Sequence, residues 1–147
     1  MTYSRFSRQY NKTDVETLSG IDLIILCHEK IIQFLKQAKE LQLSNEIERK
    51  GEKIEKVLGI ISELRSSLNY EKGGRIAENL DSIYSYLLKR IVEKNLNKTM
   101  DIYDEAIHMI GELKNAWEEI NTPAESHRIS IANQSGYENK ISSQLVA

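Results

Sequence analysis

The stretch Glu71–Arg90 reads EKGGRIAENLDSIYSYLLKR and contains the only adjacent pair of glycines in the chain. Gly73 and Gly74 carry no side chains that restrict the backbone, so they predict a sharp turn before a helix that begins at Arg75. The apolar residues that follow recur at helical spacing: Ile76, Leu80, Ile83, Tyr84, Leu87, Leu88 and Ile91. At 100° per residue they share one arc, so the stretch predicts an amphipathic helix with one core face.

A second stripe runs along the flank of the same helix. It consists of Asn79, Ile83, Tyr86 and Arg90, at positions i, i+4, i+7 and i+11. Because a core helix needs only one apolar face, a second ordered stripe that includes a tyrosine indicates a surface for another molecule. The alternative interpretation is that Tyr86 is a half-buried tyrosine at the rim of the core, where it covers a neighbouring helix.

Composition limits the class of protein. A chain of 147 residues fits one domain, which can bury roughly 70% of its unfolded surface without metals or disulfides. The net charge is −2 and there is no basic block, so we expect no nucleic-acid partner. No apolar run reaches the length of a membrane span, and residues 1–12 lack the apolar core of a signal peptide. With a single cysteine, Cys27, no internal disulfide can form, and we predict a cytoplasmic protein.

Four helices are predicted, at about 20–43, 46–68, 75–96 and 99–120. Ser19 is predicted to cap the first helix and Asn45 the second, and Pro123 is predicted to end the fourth. Short loops between long helices favour an all-α fold, an antiparallel up-down four-helix bundle of residues 19–120. Residues 1–18 have no helical period and are predicted to form an N-terminal arm that lies against the bundle. Residues 121–147 are polar and are predicted to form a flexible tail.

The first two helices carry more apolar surface than one contact needs. The first is apolar on two sides, which predicts a central helix or one whose partner is missing, and His28 lies on its core face as a buried, hydrogen-bonded histidine. The apolar arc of the second helix spans about 160° by the 100° rule. We interpret Val57, Ile60 and Leu64 as the outer edge of that arc, with Ile61 beside them.

No enzymatic site is predicted. Glu105 and His108 form one Glu-x-x-His motif of the kind that holds iron in bundles, but the second motif such sites need is absent and His108 lies off the core face. Cys27 and His28 are adjacent on a helix and point about 100° apart, so they do not form a nucleophile and base pair. The sequence therefore predicts no catalytic residues, no metal and no cofactor; elemental analysis would test the competing idea of a metal-binding bundle.

Several motifs agree in order and spacing with one known family. They are Gly73-Gly74, Ile76-Ala77, Asn79-Leu80, Tyr84-Ser85-Tyr86 and Lys89-Arg90, preceded by Tyr10, Val15-Glu16 and Ser19 and followed by Trp117. From Tyr10 to Ile120 the chain resembles the FliS family, the flagellar export chaperones that hold flagellin. Two segments depart from the family pattern: Ser19-Gly20 stands where Ser-Pro is usual, and Cys27-His28-Glu29-Lys30 stands where Leu-Tyr-Asp-Gly is frequent.

The resemblance implies a cytoplasmic chaperone that binds the C-terminal region of flagellin. That region is disordered alone and would fold into helical pieces around the bundle. Binding would prevent premature polymerisation and present flagellin to the export gate of the flagellar type III secretion system. The alternative function is a non-enzymatic helical interaction or regulatory module with a different partner.

The predicted partner-binding residues lie on three segments. They are Tyr10 and Val15 in the arm, Val57, Ile60, Ile61 and Leu64 on the second helix, and Asn79, Ile83, Tyr86 and Arg90 on the third. The helical residues are predicted to line apolar grooves, and the arm is predicted to cover a groove until flagellin binds. The sequence leaves open whether the free protein forms a homodimer, the affinity and stoichiometry, the role of residues 121–147, the export-gate contacts and the effect of the departure at 27–30.

Overall fold

The computed structural model describes residues 20–97 and 99–121. This part of the chain forms four helices: α1 Gly20–Leu43, α2 Ile47–Ser66, α3 Tyr70–Asn97 and α4 Asp101–Glu119. The loops are a few residues long, so successive helices run antiparallel, and the predicted all-α four-helix bundle is confirmed. The predicted cap at Ser19, the arm at 1–18 and the tail from 122 onward lie outside the described residues.

α3 begins earlier than the sequence suggested, because a short first turn precedes its main part. Gly74 has φ 50° and ψ −124°, a conformation that only glycine adopts without strain, and it separates Tyr70–Gly73 from the long helix beyond. The sharp backbone turn predicted for the glycine pair is therefore present at Gly74.

The link between α1 and α2 is made differently from the prediction. Asn45 does not cap α2; it adopts a left-handed conformation with φ 60°. The amide of Glu46 donates to the Leu41 carbonyl oxygen at 2.8 Å, and the amide of Asn45 donates to that of Gln42 at 3.1 Å. This pair of bonds is a Schellman motif, so Asn45 ends α1, and the capping position of α2 is Glu46, whose side chain makes no capping bond.

α1 lies between α2 and α4, α2 also packs on α3, and α3 approaches α4 less closely. α1 is buried on both of its apolar sides, as expected for a central helix. The core includes α1 residues Leu23, Cys27, Ile31, Phe34, Leu35 and Ala38, together with Leu80, Tyr84, Leu87 and Ile91 of α3 and Ile102, Tyr103, Ala106 and Ile110 of α4. These side chains fill the space that the four helices enclose.

The predicted outer edge of α2 is wrong. Val57, Ile60, Ile61 and Leu64 are all buried, with at most 2% of each residue exposed. The physical reason is that α2 packs against α1 on one side and α3 on the other, so its wide apolar arc is used by two contacts instead of one. Their part in partner binding stays a prediction.

His28 is buried and hydrogen-bonded, as predicted. Its Nδ1 lies 2.7 Å from the Ile24 carbonyl oxygen, and its Nε2 lies 3.1 Å from the hydroxyl of Tyr84 on α3. Because a carbonyl only accepts, Nδ1–H donates to Ile24 and the Tyr84 hydroxyl donates to Nε2. Burial lowers the pKa of His28 to about 4, partly opposed by the bond to Ile24, so the ring is neutral at pH 7.

Candidate partner-binding surface

The candidate surface starts at the glycine turn, which sets where the long part of α3 begins. The side-chain oxygen of Asn69 accepts from the Lys72 amide at 3.0 Å, and its carbonyl oxygen accepts from the Gly73 amide at 2.8 Å. A Cβ on Gly73 would lie 2.9 Å from the Cβ of Ala77, which is buried in the core. Gly73 is therefore required by close packing and Gly74 by its backbone conformation.

The predicted flank stripe of α3 lies at the surface. Asn79 is exposed, Ile83 and Arg90 are half-buried, and Tyr86 is 43% exposed. The stripe lies beside the buried face formed by Ala77, Leu80, Tyr84, Leu87 and Ile91. The sequence therefore separated the two faces of this helix correctly at these positions.

Ile76 was predicted to be a core residue, and that prediction is wrong. It is 68% exposed. Ile76, Asn79 and Ile83 are spaced i, i+3 and i+7, so Ile76 extends the flank stripe by one turn instead of extending the core face. We call the set Ile76, Asn79, Ile83, Tyr86 and Arg90 the flank stripe from here on.

The N-terminal part of the flank stripe contains the apolar residues Ile76 and Ile83. Its C-terminal part is hydrogen-bonded to α4. The Tyr86 hydroxyl donates to Glu105 Oε1, and Arg90 Nη2 donates to Glu105 Oε2 at 3.2 Å. Both bonds lower the pKa of the Glu105 carboxyl, and the bond from Tyr86 has the larger effect. In turn, the bond to the carboxylate raises the pKa of Tyr86. Glu105 is therefore charged at pH 7 and holds two members of the stripe in place.

The ionic contacts continue toward the α3–α4 loop. Asp101 Oδ2 lies 3.6 Å from Lys94 Nζ and 4.0 Å from Arg90 Nη2. The neighbouring Thr99 and the cation of Lys94 lower the pKa of the Asp101 carboxyl. Charged groups thus join α3 and α4 at this end, where the two helices are connected.

Away from the loop, the facing side of α4 is apolar. Met109 and Leu113 follow Glu105 at i+4 and i+8, so they lie on the same face of α4, and both are half-buried against the core. Since α3 and α4 run antiparallel, this part of α4 lies on the same side of the bundle as Ile83 and Ile76. Helices α3 and α4 therefore both contribute apolar side chains to this side of the bundle, where their backbones are not closely packed.

A second surface feature, which sequence reasoning missed, lies on the opposite flank of α3. An open depression of about 360 Å³ is lined by Ser62, Arg65, Ser66, Tyr70, Asp81 and Leu88. Arg65 Nε donates to Asp81 Oδ1 at 2.7 Å across it, which lowers the pKa of Asp81. Tyr70 stands at its edge and is 50% exposed. Hydrophobic periodicity does not predict a depression of this kind, because its polar residues come from the solvent-facing sides of α2 and α3.

The structure does not bring all the predicted site residues together. The flank stripe lies on the α4 side of α3, whereas Val57, Ile60, Ile61 and Leu64 are in the core and on the side of α2 that faces its neighbours. Tyr10 and Val15 lie outside the described residues. Only the four α3 residues therefore form a surface that is open in this structure.

In the described residues, Glu105 and His108 of the Glu-x-x-His motif have separate partners. His108 is well exposed and pairs with Glu112 at 3.3 Å, while Glu105 of the same motif is bonded to Tyr86 and Arg90. Among residues 20–97 and 99–121, no three histidine, cysteine, aspartate or glutamate side chains are placed to hold a metal ion. No helix in this part of the chain has the length and apolar character needed to cross a membrane.

Comparison with known proteins places the fold in a functional context. The family model described as flagellar protein FliS matches residues 3–124. The flagellar secretion chaperone FliS of Vibrio cholerae is 39% identical over 101 residues, covering 69% of this chain and 73% of that protein. FliSB of Pseudomonas aeruginosa, also called a flagellar secretion chaperone, is 34% identical over 118 residues, 78% of this chain and 94% of that protein.

Proposed function

The chain belongs to the FliS family of flagellar secretion chaperones, and from that premise we propose that it binds the disordered C-terminal region of flagellin in the cytoplasm. Binding would prevent premature polymerisation of flagellin and support its delivery to the flagellar type III export gate. The observation that carries the proposal is the exposed flank stripe on α3, beside the half-buried Met109 and Leu113 of α4.

The physical demand on such a chaperone fits this surface. A disordered segment loses conformational entropy when it folds on binding, so it needs a large apolar contact to compensate. An amphipathic helix meets that need when its apolar side lies in a groove between two helices. Ile76 and Ile83 supply the apolar part of the groove, and Tyr86 and Arg90 supply a polar rim.

We propose further that the arm, through Tyr10 and Val15, covers a groove while no flagellin is bound. Val57, Ile60, Ile61 and Leu64 pack in the core, where α2 contacts α1 and α3, so they would reach flagellin only if that packing opened on binding. Deleting residues 1–18 should then change flagellin affinity or export, and no change in either would contradict this part of the proposal.

A binding experiment with matched variants tests the main proposal. A peptide of the flagellin C-terminal region is titrated into the protein, and the gain in helical circular dichroism is measured. Ile83→Asp places a charge in the apolar part of the groove, and we expect affinity to fall by about 10- to 100-fold. Tyr86→Ala provides a second test that leaves the half-buried Ile83 intact.

Val92→Asp is the matched control, because Val92 is 45% exposed on the opposite flank of the same helix. Its affinity for the peptide should equal that of the unaltered chain. Equal weakening by Val92→Asp and Ile83→Asp would place the groove elsewhere. No helical gain with any variant would favour a different partner for this bundle.

A further inference from the structure

A groove between α2 and α3 follows the flank of α3 opposite to the flank stripe. At one end lies the open depression of about 360 Å³, where Arg65 Nε of α2 donates to Asp81 Oδ1 of α3 at 2.7 Å. At the other end Lys50 Nζ of α2 donates to Asn95 Oδ1 of α3. The two helices therefore lie side by side between these two bonds, and we call the space along them the α2–α3 groove.

One wall of the α2–α3 groove is a row of apolar side chains on α3. Leu88, Val92 and Leu96 are spaced i, i+4 and i+8, so they follow one side of the helix. Their exposure rises along the row: Leu88 is half-buried, Val92 is 45% exposed and Leu96 is 76% exposed. Large apolar side chains grouped at a protein surface mark a contact with another molecule, so this row is the apolar part of a docking surface.

The other wall of the groove is acidic. Glu48, Glu55 and Ser62 are spaced by seven residues, so they form one stripe along α2, and Ser62 lines the depression. Glu52 lies between the first two, and all three glutamates are exposed. The arginines of α2 are paired with other carboxylates. Among residues 20–97 and 99–121, none of the three glutamates has a cation at ion-pair distance.

The lysines in the middle of α2 lie on its other flank. The ammonium groups of Lys53 and Lys56 each lie 5.6 Å from the centroid of the Phe34 ring, which belongs to α1. α2 therefore places its lysines toward α1 and these glutamates toward α3. On the α3 wall, the exposed Lys89 follows Leu88, so the two walls set three carboxylates against one ammonium group. The resulting negative potential attracts cations.

The acidic and the most exposed apolar residues lie at the same end of the groove. Because α2 and α3 run antiparallel, the N-terminal half of α2, which carries the glutamates, lies beside the C-terminal part of α3, which carries Val92 and Leu96. The bond between Lys50 and Asn95 joins the two helices at this level. A groove with one apolar and one acidic wall is complementary to a helix that has an apolar side and a basic side.

We propose that the α2–α3 groove binds a basic amphipathic helix of a second protein partner. The apolar side of that helix covers Val92 and Leu96, and its lysines or arginines pair with the three glutamates. Since the glutamates are spaced i, i+4 and i+7, the partner's cations are spaced i, i+4 and i+7 if the helix runs parallel to α2, and i, i+3 and i+7 if it runs antiparallel.

The charges on the two flanks of α3 distinguish this partner from the flagellin segment. Beside the flank stripe, the carboxylates of Glu105 and Asp101 are paired with Arg90 and Lys94 of α3, so opposite charges balance there. The α2–α3 groove has no such balance. A second copy of this chain would bring the same acidic wall to the groove, and like charges repel. The groove therefore fits a different, basic protein.

Fluorescence anisotropy with a synthetic peptide tests the proposal. The probe is a labelled helix of about 18 residues with leucine on one side and lysine on the other, about 27 Å long, which matches α2 from Glu48 to Ser66. Glu52→Lys combined with Glu55→Lys reverses two exposed charges of the acidic wall, so helical circular dichroism should be unchanged. We expect the affinity for the peptide to fall about 10- to 30-fold at about 0.05 M salt, and less at about 0.5 M.

Glu40→Lys combined with Glu119→Lys is the matched control, since it makes the same change in net charge at exposed positions of α1 and α4. It should leave the affinity for the peptide within about twofold. Val92→Ser removes apolar surface without adding a charge and should lower the affinity about three- to fivefold. Ile83→Ser makes a similar change on the other flank of α3 and should leave the affinity unaltered.

The proposal is overturned if the charge reversal and its control weaken the peptide equally, because the attraction would then follow net charge alone. It is also overturned if the unaltered chain does not bind the peptide at low salt, or if Val92→Ser and Ile83→Ser have the same effect. The flagellin peptide should bind the charge-reversed chain as it binds the unaltered one. An equal loss of both peptides would assign the groove to flagellin and overturn the second partner.

Discussion

The first and third helices use their surfaces in opposite ways. α1 has 13 buried residues out of 24, whereas α3 has 5 out of 28. α1 lies between two neighbours and is enclosed on most sides; α3 has one narrow buried face and leaves both flanks at the surface. The difference shows that α1 is the main packing element of the bundle and that α3 leaves more of its side chains at the surface.

The largest expected effect compares one isoleucine from each helix. Ile31 of α1 has no exposed surface, while Ile76 of α3 is 68% exposed. Ile31→Ala should lower the free energy of unfolding by about 3 kcal/mol, and Ile76→Ala by less than about 0.5 kcal/mol. Urea denaturation followed by circular dichroism measures both, and similar losses would break the contrast between the helices.

The next effect is the pH dependence that His28 gives to α1. Its pKa is lowered to about 4 in the folded chain, below the unfolded value of 6.5, because burial disfavours the charged ring. The unfolded chain therefore binds the proton first, and His28 contributes a loss of stability as the pH falls from 6.5 toward 4. The loss reaches about 1 kcal/mol per pH unit in the steepest part.

Measurement of unfolding free energy against pH in the unaltered chain and in His28→Gln isolates this contribution, since the carboxyl groups are common to both. The difference between the two chains should shrink as the pH falls below 6.5. A difference that stays constant between pH 6.5 and 4.5 would show that His28 does not titrate in this way.

A smaller effect on stability is expected from replacing two glycines, Gly74 and Gly51, whose backbone conformations differ. Gly74 of α3 has a backbone that side chains strain, so Gly74→Ala should cost about 1–2 kcal/mol. Gly51 lies inside α2 with open space around its Cβ position, so Gly51→Ala should stabilise the chain by about 0.5–1 kcal/mol. Thermal unfolding temperatures should move in opposite directions, and a common direction would contradict the assigned role of the glycine turn.

The smallest effect on stability concerns the surface of α3. Tyr86→Phe removes the hydroxyl that donates to Glu105 but keeps the ring. We expect the urea midpoint to stay within error, because the pair lies at the surface, where such bonds are screened. A clear loss of stability would show that the hydrogen bond to Glu105 helps to hold α3 against α4.

Periodicity predicted much of this architecture. The core face of α3 from Leu80 to Ile91 and the separate position of Tyr86 follow from the 100° rule, and so does the burial of His28. These predictions succeed because they depend on one helix at a time. The family resemblance was carried by motifs of the same helix and is confirmed by the match over residues 3–124.

Other features depend on which helices are neighbours, and one sequence does not contain that information. The wide arc of α2 was interpreted as spare surface, but two neighbours use it, so Ile60 and Leu64 are buried. Ile76 satisfies the core spacing, yet it lies on the flank of α3. The depression lined by Arg65 and Asp81 forms between two helices and has no signal in either of them alone.

The bond between His28 and Tyr84 joins α1 to α3 at 3.1 Å through the middle of the core. Apolar contacts between two helices are non-directional and tolerate small shifts, whereas a hydrogen bond of defined length and direction restricts them. Tyr86 follows Tyr84 by two residues, about 3 Å along the axis. The height at which the bundle displays Tyr86 is therefore set by a histidine on another helix, and a substitution there can shift the displayed surface without altering any residue on it.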